Sequence, residues 1–186
     1  MGVATEQLKK EHAAIETMLK ILEAVCGRLQ TGEKADPAHL SQIVEFFHVF
    51  ADGCHHGKEE EIFFPALEMA GIPKEGGPIG VMLGEHDRMR GLMRDLAEAV
   101  DRHRAGDSKV HAVIVRHASE YATMLRRHIE KENNVLFKMA EMHLSPDEEK
   151  ELFERFESME TDKIGPGTHE RLHEVLERLE GIYLQN

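Results

Sequence analysis

The sequence predicts an all-α protein: an antiparallel up-down four-helix bundle over residues 1–144, with two further helices in a C-terminal extension, 145–186. Three observations lead there. Apolar residues recur at steps of three and four through nearly the whole chain, which keeps one face of a helix toward a core. Glycine and proline clusters cut that pattern into six segments with short connections. No stretch alternates polar and apolar residues for a useful strand length. Four long amphipathic segments with short links favour a bundle.

Each segment carries its own signals. The first helix is expected over 6–30, with Thr5 as N-cap and Gly32 just past its end. Asp36-Pro37 supplies a cap followed by proline at the first helical position, opening a second helix that runs to about Met69. Pro65 lies inside it and should bend its last turns. Gly71 through Pro78 reads as a loop. A third helix follows over 79–104, closed by Gly106-Asp107, and a fourth over 108–143. Ser145-Pro146 starts a fifth, acidic helix to about Glu160, whose Asp147, Glu148 and Glu149 suit the helix dipole. After Gly165-Pro166-Gly167-Thr168 a sixth helix fills 169–183. Its apolar side (Leu172, Val175, Leu176, Leu179, Ile182, Tyr183) needs cover, from the bundle or from a second subunit in a homodimer.

Composition excludes several classes. At 186 residues the chain can bury a full core without disulfides. No apolar run approaches the roughly 20 residues of a membrane span. The first residues lack the basic and apolar regions of a signal peptide, so the expected compartment is the cytoplasm. A net charge of −12 argues against nucleic acid as partner. Two cysteines, Cys26 and Cys54, make neither a disulfide framework nor a thiolate zinc site. The unusual number is thirteen histidines.

Six of them stand on the apolar stripes, at least one on each of the first four helices. The first helix shows Leu8, His12, Ile15, Leu19 and Leu22; the third shows Met82, His86, Met89 and Met93. The second carries Val44, His48, Ala51, His55, Glu59 and Ile62, and the fourth Ile114, His117, Tyr121, Met124, His128, Glu132 and Val135. The chain also repeats itself. Glu11-His12 corresponds to Glu85-His86, and the segment from His55 to Phe64 corresponds to that from His128 to Phe137. His12 precedes His55 by 43 residues, and His86 precedes His128 by 42. Each half is therefore a helical hairpin giving one His from its first helix and a His-x-x-x-Glu from its second.

Residues four apart lie one turn apart on the same face, so His55 with Glu59, and His128 with Glu132, present paired donors inward. Two carboxylates can bridge two ions while the imidazoles cap them individually. A nitrogen and carboxylate set without thiolate suits iron, manganese or zinc. A single striped histidine is ordinarily a hydrogen-bonded core residue. Two carboxylates and four imidazoles buried at one level without a metal would cost several kcal/mol per unpaired ion, in a protein whose net stability is about 5–15 kcal/mol. The stripes carry no Lys or Arg at that level to neutralise them.

This arrangement resembles the hemerythrin-like (HHE cation-binding) family over about residues 5–143, and the segment Cys54-His55-His56-Gly57-Lys58-Glu59-Glu60-Glu61-Ile62-Phe63-Phe64-Pro65 is very similar to that family's second-helix motif. The resemblance implies His12, His55, Glu59, His86, His128 and Glu132 as ligands of two iron ions joined by an oxo or hydroxo bridge, with both glutamates bridging. It implies an open position for O2, NO or peroxide. The sequence departs from hemerythrin itself on the third helix, where a second histidine one turn from the first is absent: Met82 and Arg90 flank His86 at that spacing. His56 is the first candidate to take the vacant role. Tyr121, His48 and His117 are further candidates, either as ligands or as partners of ligands.

Three functions compete. The first is a di-iron protein that senses, stores or detoxifies a small diatomic or peroxide ligand. The second is an iron donor for repair of damaged iron–sulfur centres, or a peroxide-consuming enzyme. The third is a structural zinc site in a helical module, which paired carboxylates fit poorly because zinc prefers closed four-coordinate sites. His169 and His173, four apart on the sixth helix, read as a solvated face rather than a second metal site.

Overall fold

A computed structural model describes residues 2–33 and 35–185. Among these there are six helices and no strand. They are α1 (Val3–Thr31), α2 (37–69), α3 (Pro78–Arg104), α4 (111–143, entered by the 3-10 turn Ser108–Val110), α5 (Pro146–Met159, prolonged by a π turn Glu160–Ile164) and α6 (Thr168–Tyr183). No helix among the described residues is long and apolar enough to cross a membrane.

The helix ends follow local chemistry. Gly32 closes α1 in the left-handed region at φ 77°, which a Cβ disfavours. Asp36 caps α2 through its side chain, with Pro37 at the first position. Ser145 and Glu148 form a reciprocal capping box on α5. Thr5 is not the cap of α1: the helix starts at Val3, and the Thr5 hydroxyl donates to Glu149 Oε1 at 2.6 Å. Glu149 Oε2 also accepts the N–H groups of Ala4 (2.9 Å) and Thr5 (3.1 Å), so a carboxylate of α5 satisfies the first turn of α1 from across the core.

Besides the π turn that ends α5, two helices are π-helical in their interiors. In α2 the spans Phe47–His56 and Glu59–Phe63 are π-helical, as is Glu132–Leu136 in α4. The wider π turn moves the stripe sideways. His48 is exposed and Val135 is 50% exposed, although α spacing points both inward. Pro65 stands just after the π turn, at the start of the closing α segment Phe64–Met69, where its missing N–H costs little.

The apolar core falls into two clusters. One contains Ile15, Leu19, Phe46, Phe47, Met89, Leu96 and Ile129; the other contains Ala4, Leu8, Ile62, Phe63, Met82, Leu136 and Phe137. Along α1 and α3 the chain passes from the second cluster into the first, and along α2 and α4 it passes the other way. Helix α4 packs on α1 and α3, and α2 on α3. Both α5 and α6 pack on α1 of the same chain, α5 through Leu152 and Phe156, α6 through Leu172, Leu176 and Leu179. Ile182 departs from the expected packing face and is 40% exposed.

Candidate metal centre

Between the two apolar clusters lies a polar layer. His12 stands between Leu8 and Ile15, His86 between Met82 and Met89, and Glu132 between Ile129 and Leu136. All six residues that the stripes and the repeat single out are buried there: His12, His55, Glu59, His86, His128 and Glu132. His56 joins them, buried like its neighbour His55. In a regular α-helix two consecutive residues diverge by about 100°; here both sit in a π-helical segment, which is the setting where such turns commonly occur at functional sites.

The donor atoms form two sets. His12, His55, Glu59 and Glu132 make one, and His56, Glu59, His86 and His128 the other; within each set the atoms lie within 4.8 Å of one another. Each glutamate faces both sets. Glu132 Oε2 is 3.1 Å from His12 Nε2 and its Oε1 is 3.1 Å from His128 Nε2. Glu59 Oε1 is 3.6 Å from His55 Nε2 and its Oε2 is 3.4 Å from His86 Nε2. The two carboxylates thus span the layer in the same way, as the duplicated hairpins require.

Left to themselves these groups are badly satisfied. Both oxygens of Glu59 and of Glu132, and the Nε2 atoms of His12, His55 and His56, are buried without a hydrogen-bond partner among the described residues. The nitrogens His86 Nε2 and His128 Nε2 face each other at 3.0 Å, where only one can carry a proton. Buried unpartnered polar atoms cost about 1–3 kcal/mol each, and more when charged. Burial, with the adjacent charge of Glu132, pushes the Glu59 carboxyl well above its ordinary range. Burial also works to raise Glu132, but His128 outweighs it and holds Glu132 well below. Burial and the crowding of His86 hold His56 well below the usual imidazole range. Divalent cations would satisfy all these atoms at once, so the donor set fits a metal pair.

The outer edge of each imidazole is occupied. Nδ1 of His55 donates to Glu11 (2.8 Å), of His86 to Glu60 (2.7 Å), of His128 to Glu85 (3.0 Å), of His12 to Asn133 Oδ1 (3.0 Å), and of His56 to Asp52 at a longer 3.4 Å. Such partners engage each Nδ1 and leave each Nε2 as the atom that faces the layer. Arg90 ties two of them together, donating to Asp52 and Glu60 at 2.8 Å. None of these partners lies on the apolar stripes. The repeat does signal two: Glu11 and Glu85 each precede the first histidine of their half.

The other candidates lie elsewhere. Tyr121 is buried against Phe47, its ring 5.1 Å away, and lines the cavity that reaches His56. His48 is exposed, and His117 is half-buried beside Glu120. His169 and His173 have ring centroids 4.6 Å apart but belong to no donor set among the described residues. A buried cation stands near the layer after all: Lys58 is fully buried, off the stripe. It pairs with Glu11 and Glu160, not with Glu59 or Glu132. A cavity of about 590 Å³ reaches His56 from between α2 and α3, floored by Phe47, Met89, Met93 and Tyr121. Both cysteines are free and buried; burial pushes the Cys26 thiol up to about 11 and Cys54 higher still.

Residues 3–140 match the family described as Hemerythrin HHE cation binding domain. The chain is 26% identical over 183 residues to uncharacterized protein Rv1995 of Mycobacterium tuberculosis, covering 97% of this chain and 71% of that protein. An uncharacterized protein of Mycobacterium bovis, Mb2018, matches to the same extent. The iron-sulfur cluster repair protein YtfE of Yersinia pestis is 31% identical over 126 residues, 66% of this chain and 54% of that one.

Proposed function

The chain belongs to the hemerythrin HHE cation-binding family, and from that premise we propose that it is a non-haem di-iron protein that binds O2, NO or peroxide. The alternating passage of α1 to α4 between the two apolar clusters supports an antiparallel up-down bundle over 1–144, with 145–186 as an extension. His12 and His55 would hold one ion and His56, His86 and His128 the other, with Glu59 and Glu132 shared between them. One observation carries this: each glutamate turns one unpartnered oxygen toward each donor set. The third-helix position that hemerythrin fills with a histidine is supplied from α2 by His56.

Bound there, iron supplies Lewis acidity and redox reactivity toward a small ligand. The chain's own residues orient the imidazoles through Glu11, Asp52, Glu60, Glu85 and Asn133, and keep water out with apolar clusters on both sides. Glu59 belongs to both sets and Glu132 also reaches His128, so with both glutamates shared one ion would have four protein residues and the other five. Six-coordinate ions held by these residues would keep positions free for a small ligand. The apolar floor of the cavity at His56 favours entry of a neutral molecule.

Metal analysis of the purified protein tests this reading. The expected result is two irons per chain, with an absorption spectrum that changes on adding O2, NO or azide. Stoichiometric zinc without redox colour would replace it with the structural-site reading. Similarity to a repair protein supports a second role, iron donation to damaged iron–sulfur centres. That role requires transfer of iron to an apo cluster protein faster than to buffer; fast peroxide turnover would instead make the protein an enzyme.

A further inference from the structure

The repeat that places the inner histidines also places a second chain of contacts behind them, and its two copies end differently. In one half His128 Nδ1 donates to Glu85, whose other oxygen accepts from Lys131. In the other, His55 Nδ1 donates to Glu11 Oε2, and Glu11 Oε1 accepts from Lys58 at 2.5 Å. Glu11 and Glu85 are equivalent in the repeat, as are Lys58 and Lys131, each three residues after its histidine. The side chain of Lys131 is 38% exposed and can complete its hydrogen bonds with water. That of Lys58 is 0% exposed. A buried ammonium needs acceptors for its donors, and Glu11 already serves His55. The second acceptor is Glu160 Oε1, 2.7 Å away, on the π turn that ends α5.

The C-terminal extension is built to deliver that carboxylate. It covers the Cys54-to-Lys58 stretch, where Gly57 leaves room for Met159: a Cβ there would come within 2.6 Å of Met159 Cε. Glu160 Oε1 also accepts from Cys54 Sγ at 3.4 Å, and the Phe156 ring centroid lies 5.8 Å from Lys58 Nζ. A line of polar contacts therefore runs His55, Glu11, Lys58, Glu160, from the centre of the bundle into the extension.

We propose that Glu160 is a positioning residue for the metal centre, holding His55 through Lys58 and Glu11, so that the extension makes the two ion sites inequivalent. Without the Glu160 charge, Lys58 turns its donors onto Glu11 and competes with His55 Nδ1–H for the same carboxylate. The His55 imidazole then loses both orientation and basicity, while His86 and His128 keep theirs. Changes of this kind in the partner of a metal-bound histidine typically cost about 10–100-fold in affinity.

The inference rests on the di-iron reading, and one experiment separates the two. Full-length wild type, Glu160→Gln and the surface control Glu157→Gln are loaded with iron, and release to a chelator is followed together with the absorption and Mössbauer spectra. The expected result for Glu160→Gln is one iron leaving about 10–100-fold faster, the other at the wild-type rate, with only one of the two iron signals shifted. Glu157→Gln should behave as wild type. Unchanged release of both irons from Glu160→Gln overturns the inference, and so does equal acceleration of both, which would mark general loosening. If Glu160→Gln does not fold, Glu160→Asp keeps the charge on a shorter arm and is held to the same site-selective criterion. A wild type that holds no iron pair overturns the di-iron reading itself, and this inference with it.

Discussion

Glu59 and Glu132 decide the chemistry at the scale of single residues. Each is buried with two unpartnered oxygens, but they differ in the metal-free protein: burial and the charge of Glu132 work against Glu59, whereas His128 favours the charged Glu132. Replacing either with Ala should abolish binding of the metal pair; in the metal-free protein Glu59→Ala should leave the melting temperature unchanged or raised, while Glu132→Ala, which strips His128 of its carboxylate, should lower it. Metal content and paired melting curves check this; retention of two ions by both variants would contradict the bridging role. Glu11 behaves in the opposite sense to Glu59. Burial works against its carboxylate, but the hydrogen bond from His55 and the charge of Lys58 outweigh burial and hold it at about 2. Burial brings His55 down to about 4, so above that pH it is neutral and Lys58 is the full charge facing Glu11. A carboxyl lowered from 4.5 to about 2 contributes up to about 3 kcal/mol. Its folded value lies below its unfolded one, so that contribution is present above pH 4.5 and fades as pH falls toward 2. The stability gap between metal-free wild type and Glu11→Gln, from urea unfolding, should shrink over that window; a pH-independent gap would contradict the assignment.

Individual helices show where pattern reading stops. Cap chemistry is local and was readable at Asp36 and Ser145, because the cap and its receiver are two or three residues apart. Ser145→Ala should lower stability by about 1 kcal/mol, seen as a shift in the urea midpoint. Gly80 teaches the opposite lesson. Helix propensity alone predicts that Gly80→Ala stabilises α3 by about 1 kcal/mol. The space is taken, however: a Cβ at Gly80 would lie 2.4 Å from the Lys74 carbonyl oxygen of the preceding loop. The substitution should destabilise by about 1–3 kcal/mol instead, and a raised melting temperature would show that the loop yields freely. The π turns in α2 and α4 belong here too. No local residue type announces them, and they are what turns His48 outward while keeping His55 and His56 both inside.

Across the whole molecule, a polar layer interrupts the core, and an extension braces it. Two ions present at about 100 times their dissociation constants would each add about 2.7 kcal/mol. At roughly 2–4 °C per kcal/mol for a chain of this size, stripping both should lower the melting temperature by roughly 10–20 °C. Calorimetry with and without chelator measures it, and coincident melts would argue against a bound pair. Helix count, approximate bounds, the duplicated hairpin and all six inner histidines and glutamates were open to reading in the chain itself. They depend on periodicity and on spacing within one helix, which are properties of neighbouring residues. The sequence nominated His56 and its repeat pointed to Glu11 and Glu85, but that His56 turns inward, that Glu60, Asp52 and Asn133 stand behind the histidines, that Lys58 is buried and that Glu149 and Glu160 reach into the bundle were decided by packing. Each joins residues far apart in the chain, or hangs on a shift of helical pitch, and whether a charge is buried depends on what the rest of the fold lays over it.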